Sequence, residues 1–126
     1  MPPAPPRPRP PSALVPSLPA HDLAATRDFY VRDLGLAVTD EASGRLRVRV
    51  GTATLEFRQH DGPPPQSDGL LLTFACPDPE ALLKRLRALS VELDVPPSPA
   101  GDVRFFARDP DDRLVAFTAA RARAAQ

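Results

Sequence analysis

The stretch Leu18–Leu36, LPAHDLAATRDFYVRDLGL, constrains the fold of this chain more than any other. A short apolar run, Leu14–Leu18, ends in a Pro-Ala-His-Asp corner, where the Asp22 side chain can accept a free amide at the start of a helix. Leu23, Thr26, Phe29, Tyr30 and Leu34 then follow the three-or-four spacing of a helix buried on one side. Gly35 closes it, because glycine accepts the left-handed conformation that a helix C-terminus often needs. Strand patterns follow. The spacing predicts a strand, a capped helix over Asp22–Leu34, a glycine stop and a second strand.

The flanking segments extend this unit. Ala13–Pro19 reads as the first strand, and Pro16 and Pro19 cannot donate to a ladder, which places it at a sheet edge. Leu36–Glu41 opens a meander, Arg45–Val50 alternates strictly as RLRVRV, and Ala53–Arg58 reads ATLEFR, with turns at Ser43-Gly44 and Gly51-Thr52. His60–Gly69 is dense in Pro, Gly and Asp and reads as a linker.

The second half repeats the order. Leu70–Cys76 is a continuous apolar strand ending in a Pro-Asp-Pro corner, and Pro79–Leu89 is an amphipathic helix with Leu82, Leu83, Leu86 and Leu89 on one face. Strands are expected at Val91–Val95, Val103–Ala107 and Leu114–Ala119, with a proline-rich connection over Pro96–Asp102 and a turn at Asp109–Arg113. Asp22 matches Asp78, and Leu36–Val38 matches Val91–Leu93, at a nearly constant offset, so the chain contains an internal repeat. The expected organisation is a proline-rich disordered tail over residues 1–12, one domain over 13–119 and a C-terminal tail over 120–126. Within the domain, module one covers 13–60, a linker 61–68 and module two 69–119.

Composition narrows the function classes. At 126 residues the chain can build one core without staples. Sixteen basic side chains balance sixteen acidic ones, so no global field draws in nucleic acid or a membrane surface. Cys76 is the only cysteine, which excludes an internal disulfide and any Cys-x-x-Cys pair; at the end of an apolar run it reads as a buried small hydrophobe. No apolar stretch reaches transmembrane length, and the N-terminus lacks a signal-peptide core, so a cytoplasmic location is expected.

Asp22-Leu23 opening the helix, Phe29-Tyr30 in its middle and Leu34-Gly35 at its end resemble the glyoxalase/bleomycin-resistance/dioxygenase family, the vicinal oxygen chelate proteins. Leu55-Glu56-Phe57 and the Asp109-Pro110-Asp111-Asp112 turn belong to the same resemblance, whose flavour is that of the bleomycin-resistance branch. The fold implied is α+β, two tandem βαβββ modules forming a curved mixed sheet with a cleft. A homodimer is implied as well.

The family's metal-dependent members hold an ion with one side chain from each of four strands. Carried over by landmark, those positions fall on Val15, Glu56, Leu70 and Ala116. A divalent ion needs several nitrogen or oxygen donors, and Val, Leu and Ala offer none. No metal, no cofactor and no catalytic residue is therefore expected.

Strand alternation sends Leu46, Val48, Val50, Leu55 and Phe57 toward the helices, and Arg45, Arg47, Arg49, Thr54, Glu56 and Arg58 to the opposite, concave face. One reading of that face is a solvated cross-strand Arg–Glu pair. The other is a ligand cleft formed by Glu56, Arg47, Arg49 and Arg58, with Leu70, Leu72, Phe74 and Ala116 as its apolar floor. His21 and His60 read as surface residues. The function expected is metal-free binding of a small molecule, as in antibiotic-sequestering relatives. Alternatives are a lyase, isomerase or dioxygenase-like enzyme with a non-standard site, and a regulatory module with a vestigial cleft.

Overall fold

The structure, a computed structural model, describes residues 8–62, 71–96 and 102–120. The first half runs β1 (Ser17–Ala20), α1 (Leu23–Arg27), a π-helical segment (Asp28–Asp33), β2 (Ala37–Ala42), β3 (Arg45–Val50) and β4 (Ala53–Gln59). The second runs β5 (Leu72–Cys76), α2 (Pro79–Ala88), β6 (Leu93–Asp94), β7 (Val103–Arg108) and β8 (Leu114–Ala119). Each half forms a four-stranded sheet of the same topology, β1-β4-β3-β2 and β5-β8-β7-β6. The first strand of each half runs parallel to the last, and the other pairings are antiparallel. This is the duplicated α+β architecture that the repeat implies.

The first helix starts where its sequence says it should. The Asp22 carboxylate accepts hydrogen bonds from the amides of Ala24 and Ala25 at 3.0 and 3.2 Å. Beyond Arg27 the helix widens, with the Leu34 amide donating to the Phe29 carbonyl at 2.9 Å, five residues back. The wider turn carries Phe29, Tyr30 and Asp33 to the buried side together. Gly35 follows with φ +83°. A Cβ there would meet no atom within 4 Å, so the obstacle to a side chain is backbone strain alone. Gly35→Ala should therefore cost about 1–2 kcal/mol, read as a lower urea midpoint at unchanged slope.

In α2 the Asp78 carboxylate caps the amide of Ala81 at 3.1 Å, and Leu83 and Leu86 are buried. Leu89, expected on the same face, is exposed, because the helix ends at Ala88 and Leu89 is its C-cap. Strands β1 and β6 are shorter than the sequence suggests. Leu14 lies before β1 with 84% of its surface exposed, so only Ser17–Ala20 pairs; β1 is an edge strand, as its prolines require.

Leu46, Val48, Leu55 and Phe57 are buried on the helix-packed side of the first sheet. Aromatic rings link the halves: Tyr30 meets Phe57 at 4.5 Å and Phe74 at 6.4 Å, and Phe117 stacks on Phe74 at 5.6 Å and Phe105 at 4.6 Å. Expectations placed on residues 1–7, 63–70, 97–101 and 121–126 lie outside the described residues. Among those described, no helix is long and apolar enough to cross a membrane.

Candidate functional site

Strand register sets the polar centre of the first sheet. Arg47 lies directly opposite Glu56, and Arg45 opposite Arg58, on neighbouring strands β3 and β4. Glu56 accepts from Arg47 Nε at 3.0 Å through Oε1 and from Arg58 Nε at 2.9 Å through Oε2. Arg45 Nε stands 3.8 Å from Oε1, and its Nη2 pairs with Asp40. Only 3% of Glu56 is exposed, although it sits on the face turned away from the helices.

These partners hold the Glu56 carboxyl down at about 2. A hydrogen bond from Ser17 contributes most, and the Arg58 and Arg47 guanidiniums add to it against the opposing effect of burial. A carboxylate held so low is a poor proton acceptor near neutrality. It also links stability to acid. With its folded value below the ordinary 4.5, Glu56 contributes stability that is complete above that value and is lost as pH falls through about 2. The gap in urea midpoint between the wild type and Glu56→Gln should thus be constant above pH 5 and close progressively toward pH 2.

Of the residues expected in the cleft, the structure brings Arg47, Glu56 and Arg58 together. Arg49 lies one pair further along the same face, opposite Thr54. Leu72 and Phe74 do not join them. Their register partners are Val115 and Phe117, which places both on the helix-packed side, with Phe74 buried in the aromatic stack. The LLLTFAC run does not alternate, so it carries no signal for which face is which. Ala116 does lie on the opposite face, buried between Thr73 and Phe106. Phe106 is the residue that reasoning from sequence missed; the Phe105-Phe106 doublet could have shown it, since one ring of such a pair must point away from the core. Leu70 lies outside the described residues.

The positions carried over from metal-binding relatives do not fit an ion. Val15 precedes β1 and is exposed, Ala116 is a hydrocarbon, and both oxygens of Glu56 are engaged by arginines. Among the described residues no group of three His, Cys, Asp or Glu side chains is placed to hold a metal. His21 is exposed, whereas His60 is half-buried, and its amide donates to the Ala20 carbonyl at 2.9 Å. Cys76 is buried, and burial pushes its thiol pKa up.

Two further features join the halves. Asp109, in the Asp-Pro-Asp turn, accepts from Tyr30 Oη at 2.7 Å and from Arg113 Nη1 at 2.7 Å, and Arg113 Nη2 donates to the Pro19 carbonyl at 2.8 Å. Asp112 adopts φ +60° there, the left-handed position where glycine would be easiest. On the helix-packed side, an apolar crevice of about 420 Å³ opens between the halves, lined by Leu34, Leu36, Val50, Phe74, Leu82 and Phe117 among others. It lies on the opposite side of β3 from the arginines.

Residues 13–117 match the Glyoxalase/Bleomycin resistance protein/Dioxygenase superfamily. Among curated proteins none matches. Among solved structures, the bleomycin-binding protein of bleomycin-producing Streptomyces verticillus, complexed with copper(II)-bleomycin, is 28% identical. It covers 87% of this chain and 97% of its own, with a TM-score of 0.64. TnmS3, an antibiotic binding protein from Streptomyces sp. CB03234, is 27% identical over 87% of this chain and 96% of its own, with a TM-score of 0.67. The oxidase ChaP-H2 shares the fold at 16% identity and a TM-score of 0.68, over 90% of this chain and 96% of its own.

Proposed function

We propose, from the premise that the chain belongs to the Glyoxalase/Bleomycin resistance protein/Dioxygenase superfamily, that it is a metal-independent protein that binds and sequesters a small molecule such as an antibiotic or metabolite. The observation that carries this reading is the state of Glu56. At the one carried-over ligand position that holds a donor, both oxygens are committed to Arg47 and Arg58. Such a carboxylate neither coordinates an ion strongly nor abstracts a proton at neutral pH. It is suited to orienting guanidiniums toward a ligand. The resemblance to two antibiotic-binding proteins at 27% and 28% identity supports the same reading.

Arg47, Arg49 and Arg58, with Glu56 between them, form the polar side of the proposed site; Ala116 is fully buried and offers it no surface. Assembly into a homodimer belongs to the proposal, as the family resemblance read from the sequence implies. Sedimentation at micromolar concentration should give twice the chain mass.

Calorimetric titration with copper-bound and copper-free bleomycin and with a panel of aromatic antibiotics tests the function. Saturable binding is expected, with the ligand recovered chemically unchanged. Arg47→Ala or Glu56→Gln should alter the binding free energy by about 1–3 kcal/mol, the range for a charged hydrogen bond. Turnover of the ligand, or near-stoichiometric zinc, nickel, iron or manganese in protein purified without chelator, would overturn the proposal.

A further inference from the structure

We infer that the open face of the first sheet, at Arg45, Arg47 and Arg58, is built to take an oxyanion, the carboxylate or phosphate group of a ligand. For the remainder of that ligand the inference rests on the binding function proposed above.

Three observations lead there. The first is how the guanidiniums are used. Arg47 and Arg58 each spend only Nε on Glu56, at 3.0 and 2.9 Å, and neither places an Nη on a partner among the described residues. A guanidinium bound through Nε alone keeps its Nη pair available as a planar donor set, the geometry that carboxylate and phosphate groups match.

The second is charge. Arg45, Arg47, Arg49 and Arg58 share this face with the carboxylates of Glu56 and Asp40, so cations outnumber anions. Arg45 and Arg58 are also direct register partners, a like-charge pairing that costs energy on an antiparallel ladder. Glu56 offsets part of that cost from below, and an anion above the sheet would offset more. A cationic ligand would add to it.

The third is preorganisation. The side chains of Arg45, Arg47 and Arg58 are 32%, 35% and 62% exposed, while the carboxylate that anchors them is only 4% exposed. The donors are reachable and already oriented, so little rotamer entropy is lost when an anion arrives. A purely solvated ion-pair network has no need to bury its acid beneath three bases.

The test follows the arginine Nε–H resonances of the full chain by 15N NMR during titration with inorganic phosphate at constant ionic strength, chloride serving as the balancing anion. Phenyl phosphate and benzoate form the second and third arms. Saturable shifts at Arg47 and Arg58 are expected. Arg58→Gln and Arg47→Gln should weaken the anion about tenfold or more, the loss of one charged hydrogen bond, while Arg87→Gln on α2 changes nothing. If Arg47→Gln fails to fold, the wild-type shift map and the exposed Arg58→Gln still decide. Tighter binding of benzoate points to a carboxylate ligand, and of phenyl phosphate to a phosphorylated one.

Phosphate that moves these resonances no more than chloride does, or Arg58→Gln that binds as well as wild type, overturns the inference. A neutral or cationic ligand that phosphate does not displace also overturns it and leaves the binding function standing. Saturable oxyanion binding here, with every larger ligand failing, leaves the inference standing and removes the sequestration reading.

Discussion

Replacing Asp109 by Ala should destabilise the protein by about 3–5 kcal/mol, the cost of removing one partner from a buried ion pair. The side chain is fully buried and serves four donors. Oδ1 accepts from the amides of Asp111 and Arg113, at 3.0 and 2.9 Å, and Oδ2 accepts from Tyr30 Oη and Arg113 Nη1, both at 2.7 Å. Its loss leaves a nearly buried guanidinium without its counter-charge and a fully buried phenol without an acceptor. Tyr30→Phe should cost only about 1 kcal/mol, because Asp109 then still has three donors. Urea midpoints of the two variants check both values. A loss for Tyr30→Phe as large as that for Asp109→Ala would contradict the assignment of the larger share to the Asp109–Arg113 pair.

Phe117→Ala should cost a comparable amount, about 3–5 kcal/mol for a large aromatic removed from a packed core. The ring is 1% exposed and lies between Phe74 and Phe105, so its removal takes away a stacking partner from each. Phe106→Ala is the informative comparison. Phe106 lies on the other face of β7 and is only half-buried, so its truncation should be clearly milder. Equal losses would contradict the assignment of the two faces.

The parts of this fold that the sequence discloses are those with a local cause. Asp22 and Asp78 cap their helices as their positions require, RLRVRV forms β3 with Leu46 and Val48 inward, and the shared offset reappears as two sheets of one topology. The π-helical widening is less accessible, because Phe29, Tyr30 and Asp33 are buried together only through packing with distant strands. The same limit applies to the site. Alternation put Glu56 on the open face and arginines beside it, but its burial and its pairing with both Arg47 and Arg58 are settled only in three dimensions, which no periodicity encodes. For Leu72 and Phe74, an unbroken apolar run fits either face, and only pairing with β8 decides. The Asp109 node spans 79 residues from Tyr30, far beyond any local pattern.

The contacts of Arg85 bear on how the molecule comes apart. From α2, in the second half, it donates to the carbonyls of Asp33 and Arg32 at 3.0 and 2.8 Å, at the C-terminal end of the first half's helix. Carbonyls at a helix end have no partners within their own segment, so the first half finishes its hydrogen bonding with a group that the second provides, while Asp109 of the second takes Tyr30 Oη from the first. Repeats that satisfied their own backbone could melt one after the other. These two depend on each other for completion, so a chain doubled in its sequence is expected to lose its structure in one cooperative transition.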